Sequence, residues 1–165
     1  MQKFSGESYR HAAARHVFAQ WLRNESTYDN YRGAFGLTWR ANRGAPYFGV
    51  LEEVPIVMGR NCGPYEFVYA PDECGLTHDD GSPLTHDEMK AMGVHPAAIL
   101  DIGILHKGQV IYGIEIYAKH RVPDRKQDFL RQLDAEVFEV DATWVLGQVE
   151  QPLDIPGWAV RRLSQ

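Results

Sequence analysis

Residues 99–120 read ILDIGILHKGQVIYGIEIYAKH, and two carboxylates interrupt what is otherwise a pair of apolar, isoleucine-rich runs. The runs Ile99–Leu105 and Val110–Ala118 flank His106-Lys107-Gly108-Gln109, a pattern that predicts a β-hairpin. A strand that only fills a core has no use for Glu115, because burying an unpaired carboxylate costs on the order of several kcal/mol. Side chains alternate along a strand, so Glu115, Tyr117 and Lys119 share one face while Ile114, Ile116 and Ala118 take the other. Asp101 joins the Glu115 face only if the hairpin loop is odd or a bulge interrupts the pairing. A plain two-residue turn at Lys107-Gly108 would set Asp101 against Ile114 and send the two acids to opposite faces. A shared site therefore requires roughly three or five loop residues, or a β-bulge, with Gly108 supplying the left-handed conformation.

Outward from the hairpin, Pro123 opens a helix over Asp124–Leu133, and Val137–Val140 is a further strand leading to Trp144-Val145-Leu146. A strand that follows another through a helix is expected to return as a parallel neighbour by a right-handed crossover, which makes the sheet mixed. Upstream, Glu7–Arg23 reads as an amphipathic helix with Tyr9, Ala12, Ala13, Val17, Trp21 and Leu22 as its apolar stripe and Arg10, Arg15 and Arg23 largely opposite. Tyr28–Val68 carries aromatic and β-branched residues broken by Gly and Pro, which suits short strands and turns. The segment Pro71–Pro83 is loop-like. Thr85-His86-Asp87-Glu88 is a capping-box start to a short helix that stops at Gly93.

With 165 residues, 44% hydrophobic and 24% charged, the chain is expected to fold as one domain over residues 1–165. No apolar run is long enough for a bilayer, and the opening Met1–Glu7 has no apolar stretch after its charge, so no membrane partner and a cytoplasmic location are expected. The net charge of -5 argues against a coat protein that holds nucleic acid on a broad basic surface. It does not argue against a nuclease, whose metal site gathers carboxylates. Cys62, Cys74, His78 and His86 lack zinc-ligand spacing and read as unconnected thiols and imidazoles. Asp79, Asp80 and Asp87 read as turn and cap residues. No phosphate-binding glycine loop, nucleophile elbow or dinucleotide fingerprint is present.

Two carboxylates and a lysine on one face suit a hard divalent cation and phosphoryl chemistry: Mg²⁺ is typically held by one or two carboxylates plus water and substrate phosphate. A nearby lysine stabilises charge developing on the phosphoryl group or orients the attacking water. The stretches ESYRHAAARHVFAQWL, AAILDIGILHKGQ, IEIYAKHRVPDRKQDFL and EVFEVDATWVL resemble the PD-(D/E)xK nuclease superfamily, and within it the small competence-protein-CoiA-like nucleases. The likeness covers the N-terminal helix and residues 97–146, with little contribution from Gly33–Met92.

The resemblance implies an α/β fold with a restriction-endonuclease-like core, a mixed β-sheet flanked by helices in the order αβββαβ. It implies Mg²⁺ or Mn²⁺ held by Asp101 and Glu115, with Lys119 assisting the attacking water, Glu7 as a helix-borne acid and His11 near the phosphate. Tyr117, His120, Arg121 and Lys126 complete the candidate substrate contacts, with DNA a more natural substrate than RNA and a solvated face the plainer role of His120, Arg121 and Lys126. In the usual E-x-K motif the lysine stands two residues after the glutamate, and here that residue is Tyr117; Lys119 lies two further along the same face. Plainer roles exist for all but Glu115: Asp101 as a strand-end acceptor, Lys119 as a solvated lysine, Glu7 as a helix-start acid and His11 as an ordinary helix-face residue. The competing reading is a catalytically inactive nuclease-fold adaptor of phage or bacterial origin, and a homodimer joined through the aromatic-rich Tyr28–Tyr69 region is a candidate assembly.

Overall fold

The first long periodic segment becomes helix α1 (Gly6–Arg23), whose buried arc is Ala14, Phe18, Ala19, Trp21 and Leu22. The arc is rotated from the expected stripe: Tyr9 is exposed, Ala12 and Ala13 are half-buried, and Arg15 is drawn inward by Glu52 and Glu53. The computed structural model describes residues 6–24, 49–58, 67–68, 78–80, 84–93, 98–106, 109–119, 121–131 and 135–163. Most of Tyr28–Tyr69, with the expected dimer interface, lies outside the described residues, as do Cys62 and Cys74.

The other elements are β1 (Gly49–Met58), β2 (Phe67–Val68), α2 (His86–Ala91), β3 (Ala98–His106), β4 (Gln109–Tyr117), α3 (Asp124–Arg131), β5 (Glu136–Asp141), α4 (Ala142–Leu146) and β6 (Val160–Arg162). Among the described residues the strands form one mixed sheet in the order β2-β1-β3-β4-β5-β6. The hairpin β3–β4 is antiparallel, and β5 returns through α3 as the parallel neighbour of β4. The Thr85 side chain accepts the Glu88 N–H at 3.2 Å, and Gly93, with φ 77°, ends that turn.

Helices cover both faces of the sheet. On one face α1 and α4 pack on Val50, Ile102, Ile104, Ile114, Ile116, Phe138 and Val140, and Trp21 meets Trp144 edge-on with centroids 5.9 Å apart. On the other, Met89 of α2 and Leu130 of α3 pack on Val54, Ile56, Leu100, Val110 and Val137. The Glu115 face of β4 is thus not an open chemical surface; it lies under a second apolar cluster.

The cluster memberships reveal a switch of faces within two neighbouring strands. Ile102 and Ile104 belong to the α1 side, whereas Leu100 belongs to the α3 side; on β1, Val50 and Val54 divide in the same way. The pairs Glu52↔Ile102 and Val54↔Leu100 put Glu53 opposite Asp101, and Glu53 carries φ 53°, a left-handed conformation that a non-glycine residue adopts only at some cost. The switch therefore falls at Asp101, where regular alternation is suspended.

Candidate active site

The register of the hairpin decides whether the two acids meet. Near the turn, His106 pairs with Gln109 and Leu105 with Val110, which leaves a two-residue connection at 107–108; the turn residues themselves lie outside the described residues. Between Leu105 and Ile104 the pairing slips by one, so that Ile104 faces Tyr112 and Ile111 has no opposite number. This is the β-bulge that a shared site requires. It carries the register on through Gly103↔Gly113 and Ile102↔Ile114, and so sets Asp101 across from Glu115.

Beyond Ile102 the Asp101 side chain substitutes for the ladder: its Oδ2 accepts the Ile116 N–H at 2.7 Å. The same oxygen lies 3.0 Å from His11 Nε2 on α1, and the Asp101 and Glu115 carboxyls are close enough for each to shift the acidity of the other. From the opposite face of the sheet, Lys126 on α3 brings Nζ to 2.9 Å from Glu115 Oε1. Four side chains from four elements thus converge, the acids buried and the bases half-open: the Glu115 side chain is 4% exposed, Lys126 27% and His11 31%.

The two carboxyls differ in acidity because their surroundings differ. Burial pushes Asp101 up, but hydrogen bonds from His11, from the Glu115 carboxyl and from the Ile116 N–H outweigh it, so its pKa falls below the ordinary carboxylate value. Burial pushes Glu115 well above that value, and the Asp101 charge adds to the rise; Lys126 offsets only part. Glu115 Oε1 is buried, and its partner is the Lys126 ammonium at 2.9 Å. Two acids side by side are chemically suited to a hard cation. Among the described residues no group of three or more His, Cys, Asp and Glu side chains is arranged around a metal position.

The other expected residues are placed as follows. Lys119 is exposed just past the end of β4 and forms no ion pair among the described residues, so the lysine at the acid pair is Lys126. Tyr117 shares the Glu115 face, but its ring packs under the Arg121 guanidinium, 4.1 Å from the centroid. Glu7 is on α1, four residues before His11, and its side chain lies outside the described residues, as does His120 altogether. His78 pairs with Glu88 at 2.7 Å.

Glu139 on β5 stands beside Glu115 in the parallel ladder and is equally buried, with Arg121 and Arg161 both on its carboxylate. Its signal is present in EVFEVD, an acid within an apolar strand, which is the pattern that singles out Glu115. Among the described residues no helix is long and apolar enough to cross a membrane. Comparison with protein-family models, with curated proteins and with solved structures finds no match to this chain.

Proposed function

We propose that this protein is a metal-dependent nuclease that hydrolyses phosphodiester bonds, with Asp101 and Glu115 as the ligands of Mg²⁺ or Mn²⁺. The observation that carries this reading is the placement of two buried carboxyls opposite each other on adjacent strands by a bulge, with a lysine at 2.9 Å from one and a histidine at 3.0 Å from the other. The element order α1-β1-β3-β4-α3-β5 supports a restriction-endonuclease-like core, with β2 and α2 as an insertion between its first two strands.

A divalent cation bound there would polarise a phosphoryl oxygen and make water a nucleophile near neutral pH. The remaining roles belong to the chain. Asp101 is kept ionised by His11 and the Ile116 N–H, so one ligand is ready in its anionic form. Glu115 must lose any proton it holds to act as the second. Lys126, a quarter exposed, is in reach to stabilise negative charge on the phosphoryl group, the task the sequence assigned to Lys119.

A second reading, a catalytically silent nuclease-fold adaptor, is favoured by one observation: the motif position of the lysine is filled by Tyr117, whose ring is committed to Arg121. Hydrolysis separates the two. The nuclease reading expects labelled single- or double-stranded DNA to be cut with Mn²⁺ by the wild type and not by Glu115→Ala. A wild type inert on DNA and RNA across Mg²⁺, Mn²⁺ and Ca²⁺ would establish the adaptor instead.

A further inference from the structure

Glu139 is the most deeply buried acid of the sheet, its side chain 1% exposed, yet it is not surrounded by buried partners. Arg161, directly across the β5–β6 ladder, places Nε 3.3 Å from Oε1 and a terminal nitrogen 3.4 Å from Oε2. Arg121, from the segment after β4, donates to the same Oε1, and the Val122 N–H donates to Oε2 at 3.3 Å. Two guanidiniums are therefore held side by side on one carboxylate, while their side chains remain 57% and 46% exposed. Hydrogen bonding to Glu139 keeps the Arg121 guanidinium even more firmly protonated than usual, and its plane is packed on Tyr117.

A tie that only fastens β6 to β5 needs a single arginine, and a second one beside it adds like-charge repulsion. Asp141, the other acid on this face, is occupied in capping α4, its Oδ1 accepting the Trp144 N–H at 2.9 Å. Each guanidinium has five N–H donors in a rigid fork, of which Glu139 uses one or two, and both side chains are about half exposed. The position is also telling: Glu139 is the ladder neighbour of Glu115, about 4.8 Å away by strand spacing.

We propose that Arg121 and Arg161, braced on Glu139, form a phosphate-binding site for the backbone of a nucleic-acid strand that passes the Asp101–Glu115 centre. The proposal rests on the nuclease reading, and it names the path of the substrate: along β5 and β6, with Tyr117 as the support of Arg121. Phosphates of a nucleic-acid backbone are contacted by paired arginine donors, and each such contact releases counterions on binding.

The test is fluorescence anisotropy of labelled single-stranded and duplex DNA in EDTA, from 25 to 200 mM salt. The variant is Arg121→Gln/Glu139→Gln/Arg161→Gln, which removes both cations together with the buried anion and so leaves no uncompensated charge. Relative to wild type, its slope of log affinity against log salt should fall by about 2, and its affinity by at least about tenfold. Arg131→Gln, which removes a charge on the last turn of α3, should leave both unchanged. Should the triple variant not fold, Arg121→Lys/Arg161→Lys keeps the charge and should weaken binding while preserving the slope. Wild-type binding with an unaltered slope in the folded triple variant overturns this site and leaves the nuclease reading standing. Binding that depends on the arginines in a protein that cuts nothing with Mn²⁺ keeps the site and removes the nuclease reading. A wild type that binds no nucleic acid even at 25 mM salt overturns the proposal.

Discussion

Replacing Lys126 by methionine keeps the side-chain stem and deletes only the charge that faces Glu115. At 2.9 Å, with an effective dielectric near 20, the attraction is about 6 kcal/mol before desolvation is counted. Removing one partner of a fully buried pair typically costs about 3–5 kcal/mol. Because Lys126 is 27% exposed, water replaces part of the loss, and about 3 kcal/mol is expected at alkaline pH. For a chain of 165 residues that is a fall in melting temperature of about 6–12 °C. The sign with pH follows from Glu115, whose pKa in the fold is raised first by burial and then by Asp101. Because that raised pKa favours the neutral carboxyl toward the acid side, the variant should approach wild-type stability as pH falls toward 4.5, and the deficit should open as pH rises toward 8.5. Thermal unfolding across this range is the assay. An equal deficit at both ends would mean that Lys126 acts through its stem, and no deficit at either would mean that the ion pair contributes nothing.

Glu115→Gln should behave in the opposite sense in metal-free buffer. A raised folded pKa means stability that is present below the ordinary value of 4.5 and lost as pH rises through the folded pKa, so the variant should melt above wild type at pH 8.5 and converge with it toward pH 5. Asp101→Asn removes the charge that His11 and the Ile116 N–H hold, and should cost about 1–3 kcal/mol near neutrality. Because the Asp101 pKa is lowered, this loss should fade only as pH drops below 3.8, which acid-side denaturant titrations will read. Gly113→Ala would bring a Cβ to 3.2 Å from both Leu100 methyls and 3.4 Å from Val137 Cγ2, within the second apolar cluster. Chemical denaturation should show a loss of about 1–3 kcal/mol from overpacking.

The elements around the site were legible because their signals are periodic. Alternation marks β3 and β4, Pro123 and the charge-rich turn after it mark α3, and EVFEVD marks β5. The need for a bulge could also be argued from residue parity alone. Its location could not, because Val110-Ile111-Tyr112 is uniformly β-forming and no glycine singles out Ile111. The change of face at Asp101 was likewise hidden: Leu100 and Ile102 are equally apolar, and only the left-handed Glu53 on the neighbouring strand accompanies the switch. Strand reading favoured Lys119, since it shares a face with Glu115, whereas the lysine that arrives comes from a helix packed over that face. The acid-in-apolar-strand pattern of EVFEVD marks Glu139 as it marks Glu115, but its arginine partners, 18 and 22 residues away in the chain, carry no local signal.

The central claim is that Asp101 and Glu115 together hold a divalent cation. Crystals of the wild type and of Glu115→Gln, soaked in Mn²⁺ above pH 8 and measured at the manganese absorption edge, test it most directly. The account predicts an anomalous peak within coordination distance of both carboxylates in the wild type, with Lys126 displaced from Glu115, and none at this position in the variant. Wild-type crystals that take up Mn²⁺ elsewhere, while Lys126 stays on Glu115 and no peak stands between the two acids, would contradict it.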